Sequence, residues 1–173
     1  MDDVKVYLNS LGIEYTKSGY YEKALESFTE AISVDPENPV FHFNQALVYE
    51  KMGNFAEAAK CINISIGLNP ENDEYWNEMG LVRYKQGERD NAENCLKKAL
   101  SINNSSSAAW NNLGVLNFTG GKMKEACNCF QASVKYDNKN SDAWFNLSDA
   151  WLELGDRRKS YDARKNYDKL QEK

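Results

Sequence analysis

The sequence predicts an all-α protein built from stacked pairs of helices, and three observations carry that prediction. Five glycines, Gly19, Gly53, Gly87, Gly121 and Gly155, follow one another at intervals of 34 residues. Small residues keep the same step at Ala24, Ala58, Ala92 and Ala126, with Ser160 in the fifth place, and prolines or asparagines recur at Pro36, Pro70, Asn104 and Asn138. A fixed period of this length across nearly the whole chain marks a tandem array of one small structural unit. Apolar residues inside each unit recur with helical rather than strand spacing.

Taking 5–38 as the first unit sets the others at 39–72, 73–106, 107–140 and 141–173, together one domain over 5–173. In the fourth unit Trp110, Leu113, Gly114 and Asn117 mark one helical face, and after Gly121 a second face runs through Ala126, Phe130, Ser133 and Val134. The glycine between them suits a tight turn that needs one residue in the left-handed region, where a Cβ is penalised. The second break, Asp35-Pro36-Glu37-Asn38-Pro39 and Asn69-Pro70-Glu71-Asn72, works through proline, which ends one helix and fits the first turn of the next. Where proline is absent, Ser105 to Ser107 and Ser141 are expected to supply capping hydroxyls. Gly12, Gly80 and Gly114 on first helices, and the periodic alanines on second helices, are expected where helices approach closely.

The residues resemble the tetratricopeptide repeat (TPR) family, whose 34-residue unit carries W-x2-L-G-x2-Y early, then glycine, alanine, a large apolar residue, alanine and proline. Trp76, Trp110 and Trp144 hold the tryptophan place, with Leu8 and His42 in the first two units. Leu11-Gly12, Met79-Gly80 and Leu113-Gly114 hold the next pair, and Tyr15 and Tyr49 the tyrosine place. Gln45-Ala46, Arg83 and Asn117 depart from the pattern, as do Ser160, Arg164 and Tyr167 in the last helix, without breaking helical periodicity. The resemblance implies a right-handed superhelical solenoid of antiparallel helix pairs. Its last helix, with bases at Arg157, Arg158, Lys159, Arg164, Lys165, Lys169 and Lys173, is expected to cap the stack with a polar face.

Composition bounds the function. Twenty-six acidic against 21 basic residues leave a formal charge of −5, so a phosphate-reading groove is not expected and no nucleic-acid partner is assigned. No apolar run reaches the ~20 residues that span a bilayer, and Met1-Asp2-Asp3 lacks the features of a secretory signal, so a cytoplasmic location without membrane association is expected. Cys61, Cys95 and Cys129 also stand 34 apart, too regularly spread to pair, and are read with Cys127 as small, partly buried thiols. No cofactor or metal set is assigned, because the one histidine, His42, occupies a core place. No nucleophile elbow, phosphate loop or zinc motif is present, so no catalytic residue is assigned and the chain is read as a non-enzyme.

In TPR arrays the first helices line the concave face through their second, fifth, sixth, ninth, twelfth and thirteenth residues. The resemblance therefore places Asn9, Phe43, Asn44, Asn77, Glu78, Tyr84, Asn111, Asn112, Phe118, Phe145, Asn146 and Asp149 along a peptide-binding groove. Asparagine both donates and accepts, so it can pair with the backbone of an extended peptide whatever its side chains. Asn44, Asn112 and Asn146 share the sixth place and resemble the asparagine ladder by which members of the family, including the repeat region of the O-GlcNAc glycosyltransferase, hold peptide backbone. Phe43, Tyr84, Phe118 and Phe145 are read as apolar pockets. Acidic residues at Glu74, Glu78, Asp142, Asp149 and Glu153 favour a neutral or basic ligand segment. The cationic clamp with which some members bind the C-terminal carboxylate of Hsp70 or Hsp90 is missing: Asn9, Ile13, Asn44, Glu74 and Glu78 stand in its places, so that ligand is not expected.

The resulting reading is a protein-protein interaction module or adaptor. Two other readings stand beside it: the substrate-selecting repeat region of a larger enzyme such as a glycosyltransferase, and a self-assembling scaffold or homo-oligomer formed through repeat ends, with Tyr7, Leu11 and Tyr21 exposed on the first unit.

Overall fold

The computed structural model describes residues 2–172. These form ten α-helices and no strand: α1 (Asp2–Lys17), α2 (Tyr21–Val34), α3 (Pro39–Lys51), α4 (Phe55–Leu68), α5 (Asp73–Lys85), α6 (Arg89–Ile102), α7 (Ser107–Thr119), α8 (Met123–Tyr136), α9 (Ser141–Glu153) and α10 (Arg157–Gln171). They correspond to five tandem helix pairs in the register given by the glycine period. None of the described helices is long and apolar enough to cross a membrane.

The turn within each pair is closed by its glycine. Gly19, Gly53, Gly87, Gly121 and Gly155 all have φ between 76° and 82°, a conformation that costs other residues a steric clash at Cβ. Between pairs, Asn38, Asn72 and Asn140 cap α3, α5 and α9 by accepting hydrogen bonds from Val40 N, from Glu74 N and Tyr75 N, and from Ala143 N. The serine expectation is corrected here. Ser106 holds the cap of α7 without a side-chain bond, Asn140 rather than Ser141 caps α9, and the Ser107 hydroxyl instead meets Ser133 Oγ at 2.9 Å.

A recurrent hydrogen bond fixes the start of four first helices. The indole N–H groups of Trp76, Trp110 and Trp144 donate to the carbonyls of Pro70, Asn104 and Asn138 at 2.8, 2.8 and 2.9 Å. His42 does the same from Nε2 to Pro36 O at 2.8 Å. The imidazole thus replaces the indole in packing and in bonding, and its Nε2 carries the proton because a carbonyl only accepts.

The helices pack as two compact units, Met1–Glu88 and Arg89–Lys173, with the boundary inside the third sequence repeat. In the first unit α1 to α5 pack in sequence, each on the next. Ala24, Phe28 and Val48 form a core with Ile13, Tyr15, Tyr21 and Leu25 packed against it. In the second unit α6 to α10 pack in the same serial way, around Ala126, Cys127, Phe130, Val134, Ala143, Leu147, Ala150 and Ala163. The periodic alanines Ala24, Ala58, Ala92 and Ala126 are completely buried, as their phase requires. Gly12 shows why a helix interior accepts glycine: a Cβ there would lie 2.6 Å from the Phe28 ring. Gly114 faces Phe130 in the same way.

Candidate functional site

The first-helix residues singled out by the sequence are described unit by unit. In the first unit, Asn9 on α1 and Asn44 on α3 meet directly, Asn44 Nδ2 donating to Asn9 Oδ1 at 2.8 Å. These are the fifth place of one repeat and the sixth place of the next. At the following step the same two places hold Phe43 and Glu78, which have no such pairing chemistry. Phe43 turns instead to Tyr75 on α5, with ring centroids 4.7 Å apart and a tilt of 42°. Asn77 and Tyr84 are half-buried on α5.

Glu78 is correspondingly perturbed. Burial, reinforced by repulsion from Glu50 and only partly offset by Lys85 and Lys51, pushes its carboxyl up to about 7. Lys85 is held in an ion pair with Glu50, which uses the nearest cation on a different carboxylate. Within the first unit, Glu50, Lys51, Glu78 and Lys85 therefore make a mixed cluster, less acidic than a count of the carboxylates implies.

In the second unit the asparagine pairing recurs: Asn146 Nδ2 on α9 donates to Asn111 Oδ1 on α7 at 3.0 Å. Asn112 is half-buried on α7. Phe145 is covered, its ring centroid 5.3 Å from that of Tyr167 and 4.6 Å from the Arg164 guanidinium carbon, so α10 closes over the place where a side-chain pocket was expected. Phe118 and Asp149 are brought together with Asn146 at one hollow.

Two hollows on the first-helix face are built from equivalent positions. One, of about 230 Å³, is lined by Ile13, Thr16, Lys17, Phe28, Asn44 and Leu47. The other, of about 70 Å³, is lined by Val115, Phe118, Phe130, Asn146 and Asp149. Three repeats separate them, and Ile13, Thr16, Phe28, Asn44 and Leu47 stand in the places of Val115, Phe118, Phe130, Asn146 and Asp149. Phe28 and Phe130 come from second helices; in the sequence Phe130 marks one helical face and Phe28 is not singled out. The signal for them was the glycine opposite, since Gly12 and Gly114 leave the rings room to reach the first-helix face. A larger hollow of about 700 Å³ lies elsewhere, between Trp144 on α9 and Leu170 on α10, and has long solvated side chains such as Lys139 and Lys169 for walls.

The remaining reactive groups are engaged or buried. Cys61, Cys127 and Cys129 are buried and unbridged, and desolvation raises all three thiols, those of Cys61 and Cys127 to about 11. Among the described residues no group of three or more His, Cys, Asp or Glu side chains is arranged to hold a metal ion.

Comparison with known proteins matches these features to one family. The middle TPR-like domain of cilia and flagella-associated protein 70 matches residues 43–171, and a general TPR repeat matches residues 12–53. No curated protein sequence matches the chain. Among solved structures, PilF from Pseudomonas aeruginosa superposes with a TM-score of 0.89 at 18% identity, over 98% of this chain and 77% of that one. MamA gives a TM-score of 0.76 at 17% identity, over 99% and 94% of the two chains. YrrB, described as a TPR protein with an unusual peptide-binding site, gives 0.66 at 20% identity, over 95% and 84%. At these identities the likenesses speak for the fold, an all-α TPR array. With a family model spanning three quarters of its length and the turn glycines, Trp/His anchors and buried alanines all in phase, the chain belongs to the family of the middle TPR-like domain of cilia and flagella-associated protein 70.

Proposed function

We propose that the chain is a non-catalytic interaction module whose repeats, as one binding domain, hold an extended segment of another protein along their first-helix faces. The observation that carries this reading is the recurrence of one pocket design at equivalent places in both units, each with an asparagine in its wall. Asn44 and Asn146 each spend an N–H on a neighbouring asparagine. That bond orients the carboxamide and leaves its oxygen and second N–H to pair with peptide backbone. YrrB's peptide-binding site supports the same use of this fold. The name of the family supports a search for the partner segment among proteins of cilia and flagella. A neutral or basic segment fits the acidic residues that line the face.

Selection of a random peptide library displayed on phage against the full chain tests the reading. Recovered peptides should bind the parent and lose affinity for the Asn44→Ala, Asn146→Ala double variant by roughly 1–3 kcal/mol, at ~0.5–1.5 kcal/mol per lost net hydrogen bond. Equal affinity for a folded double variant would remove the asparagines from the site.

Self-assembly is the second reading, favoured by one specific observation. Val4, Val6 and Tyr7 on α1 are 53, 59 and 65% exposed, a run of apolar surface on one helix. Leu11 and Tyr21, expected to join it, are half-buried, Tyr21 against the α1–α3 core. Sedimentation velocity over a hundredfold range of concentration separates this reading from a monomeric adaptor.

A further inference from the structure

The two pockets share one design and differ in chemical character at two of their equivalent places. Where the first unit places Leu47, the second places Asp149, and where the first has Thr16 the second has Phe118. Asp149 is half-buried on α9 and forms no hydrogen bond or ion pair among the described residues. On α10, Arg164 lies over the rings of Phe145 and Tyr167. A carboxylate without a partner in the wall of an aromatic hollow is therefore left to a ligand. Asn146 adds a second acceptor: its Nδ2 bonds to Asn111, and its amide oxygen has two lone pairs, one for peptide backbone and one for a cationic head.

The walls select among cations. Val115, Phe118 and Phe130 are apolar, so the stem of an aliphatic amine can bury against them while its head reaches Asp149. An aromatic face adds attraction for a cation within about 6 Å of its centroid. The hollow measures about 70 Å³ against about 230 Å³ for its counterpart. One carboxylate and one amide oxygen beside apolar walls suit the compact ammonium of lysine on its flexible stem better than the planar guanidinium with its rigid fork of five donors.

From this geometry we infer that the hollow formed by Val115, Phe118, Phe130, Asn146 and Asp149 is a subsite for a lysine side chain of the bound segment, while the equivalent hollow around Leu47 takes an apolar side chain. The inference rests on the groove reading above and assigns one side chain of the ligand, with Asp149 and the Asn146 oxygen as acceptors for two of its three ammonium protons. Discrimination between the two pockets then gives the module its choice of sequence, because backbone pairing by asparagine is indifferent to side chains.

The test uses small probes on the isotopically labelled full chain, followed by ¹H–¹⁵N NMR. The probes are n-butylammonium, n-butylguanidinium and the neutral isostere 1-pentanol. Butylammonium should shift the Asn146 side-chain amide and the Asp149 backbone amide saturably, with butylguanidinium at least about threefold weaker and pentanol weaker still. Asp149→Asn, nearly isosteric at a carboxylate that holds no partner, should weaken butylammonium about tenfold, the scale of a lost charge-assisted hydrogen bond. Pentanol should instead shift Leu47 and its neighbours. Equal titration of the three probes, butylguanidinium matching butylammonium, no saturable shift at Asn146 and Asp149, or an unchanged Asp149→Asn titration would each overturn the inference. The wild-type comparison stands alone if the variant misfolds. Library peptides that map to this face while the probes fail to discriminate would sink the lysine subsite and leave the groove reading intact, and the converse result would separate them the other way.

Discussion

Glu78→Gln should stabilise the protein, and only in a defined pH window. The carboxyl of Glu78 is pushed from an ordinary 4.5 to about 7, first by burial and then by Glu50, with Lys85 and Lys51 acting in the opposite direction. At ~1.4 kcal/mol per pH unit, that gap makes the ionised carboxylate cost the fold roughly 3–4 kcal/mol once it is fully formed. The sign follows from proton uptake. Below about pH 4.5 the group is protonated in both folded and unfolded chains and contributes no difference. Between 4.5 and about 7 the unfolded chain releases its proton while the folded chain keeps it, so stability falls as pH rises through this window. Glutamine removes the titration and keeps the shape. Urea denaturation of parent and variant from pH 4.5 to 8.5 should therefore show curves that nearly coincide at the acid end and diverge to roughly 3–4 kcal/mol in favour of the variant by pH 8. A constant difference across the range, or none at pH 8, would refute the account of Glu78 as a carboxylate held without a compensating partner.

The glycines of helix interiors should respond in opposite directions. Gly114→Ala drives a Cβ into the Phe130 ring and should cost about 1–3 kcal/mol, whereas Gly67→Ala on α4 meets nothing within 4 Å and should gain about 0.5–1 kcal/mol from helix propensity, both read from thermal melts. Asn44→Ala should lower stability by about 0.5–1.5 kcal/mol in chemical denaturation, because its bond to Asn9 joins α1 and α3. At pH 8 the buried thiols of Cys61 and Cys127, held near 11, should alkylate with iodoacetamide about a hundredfold more slowly in the folded chain than in urea, which mass spectrometry of the digested protein resolves site by site.

The parts of the molecule that repeat were legible because each repeat restates the same local physics. A glycine in the left-handed turn and an alanine at a helix crossing are dictated within one unit, and a tryptophan or histidine reaching the carbonyl six residues back is a short-range contact across one link, so the copies reinforce one reading. Part of what escaped involves two units at once. The Asn9–Asn44 and Asn111–Asn146 bonds join the fifth place of one repeat to the sixth of the next, a relation that depends on how neighbouring first helices register. Read singly, these amides look like groove surface reserved for a ligand; paired, they also join repeats. Phe28 and Phe130 were hidden for a related reason, since a second-helix ring reaches the first-helix face only through the gap left by Gly12 or Gly114. Phe145 fits a pocket by position, yet the final helix departs from the repeat pattern at Arg164 and Tyr167 and covers it with those very residues. The cap of α9 followed asparagine rather than serine because Asn140 stands at the cap position itself, one residue before the helix.

Binding of a segment along the first-helix faces is the claim on which the rest depends. Its most direct measurement is an NMR titration of the labelled chain with a library-selected peptide, reading backbone and side-chain amides together. The account expects saturable shifts concentrated on α3, α7 and α9, with the carboxamides of Asn44 and Asn146 among the largest. Shifts confined to the outer faces of α2, α4, α8 and α10, or to the exposed Val4, Val6 and Tyr7 of α1, with those carboxamides unmoved at saturation, would contradict it.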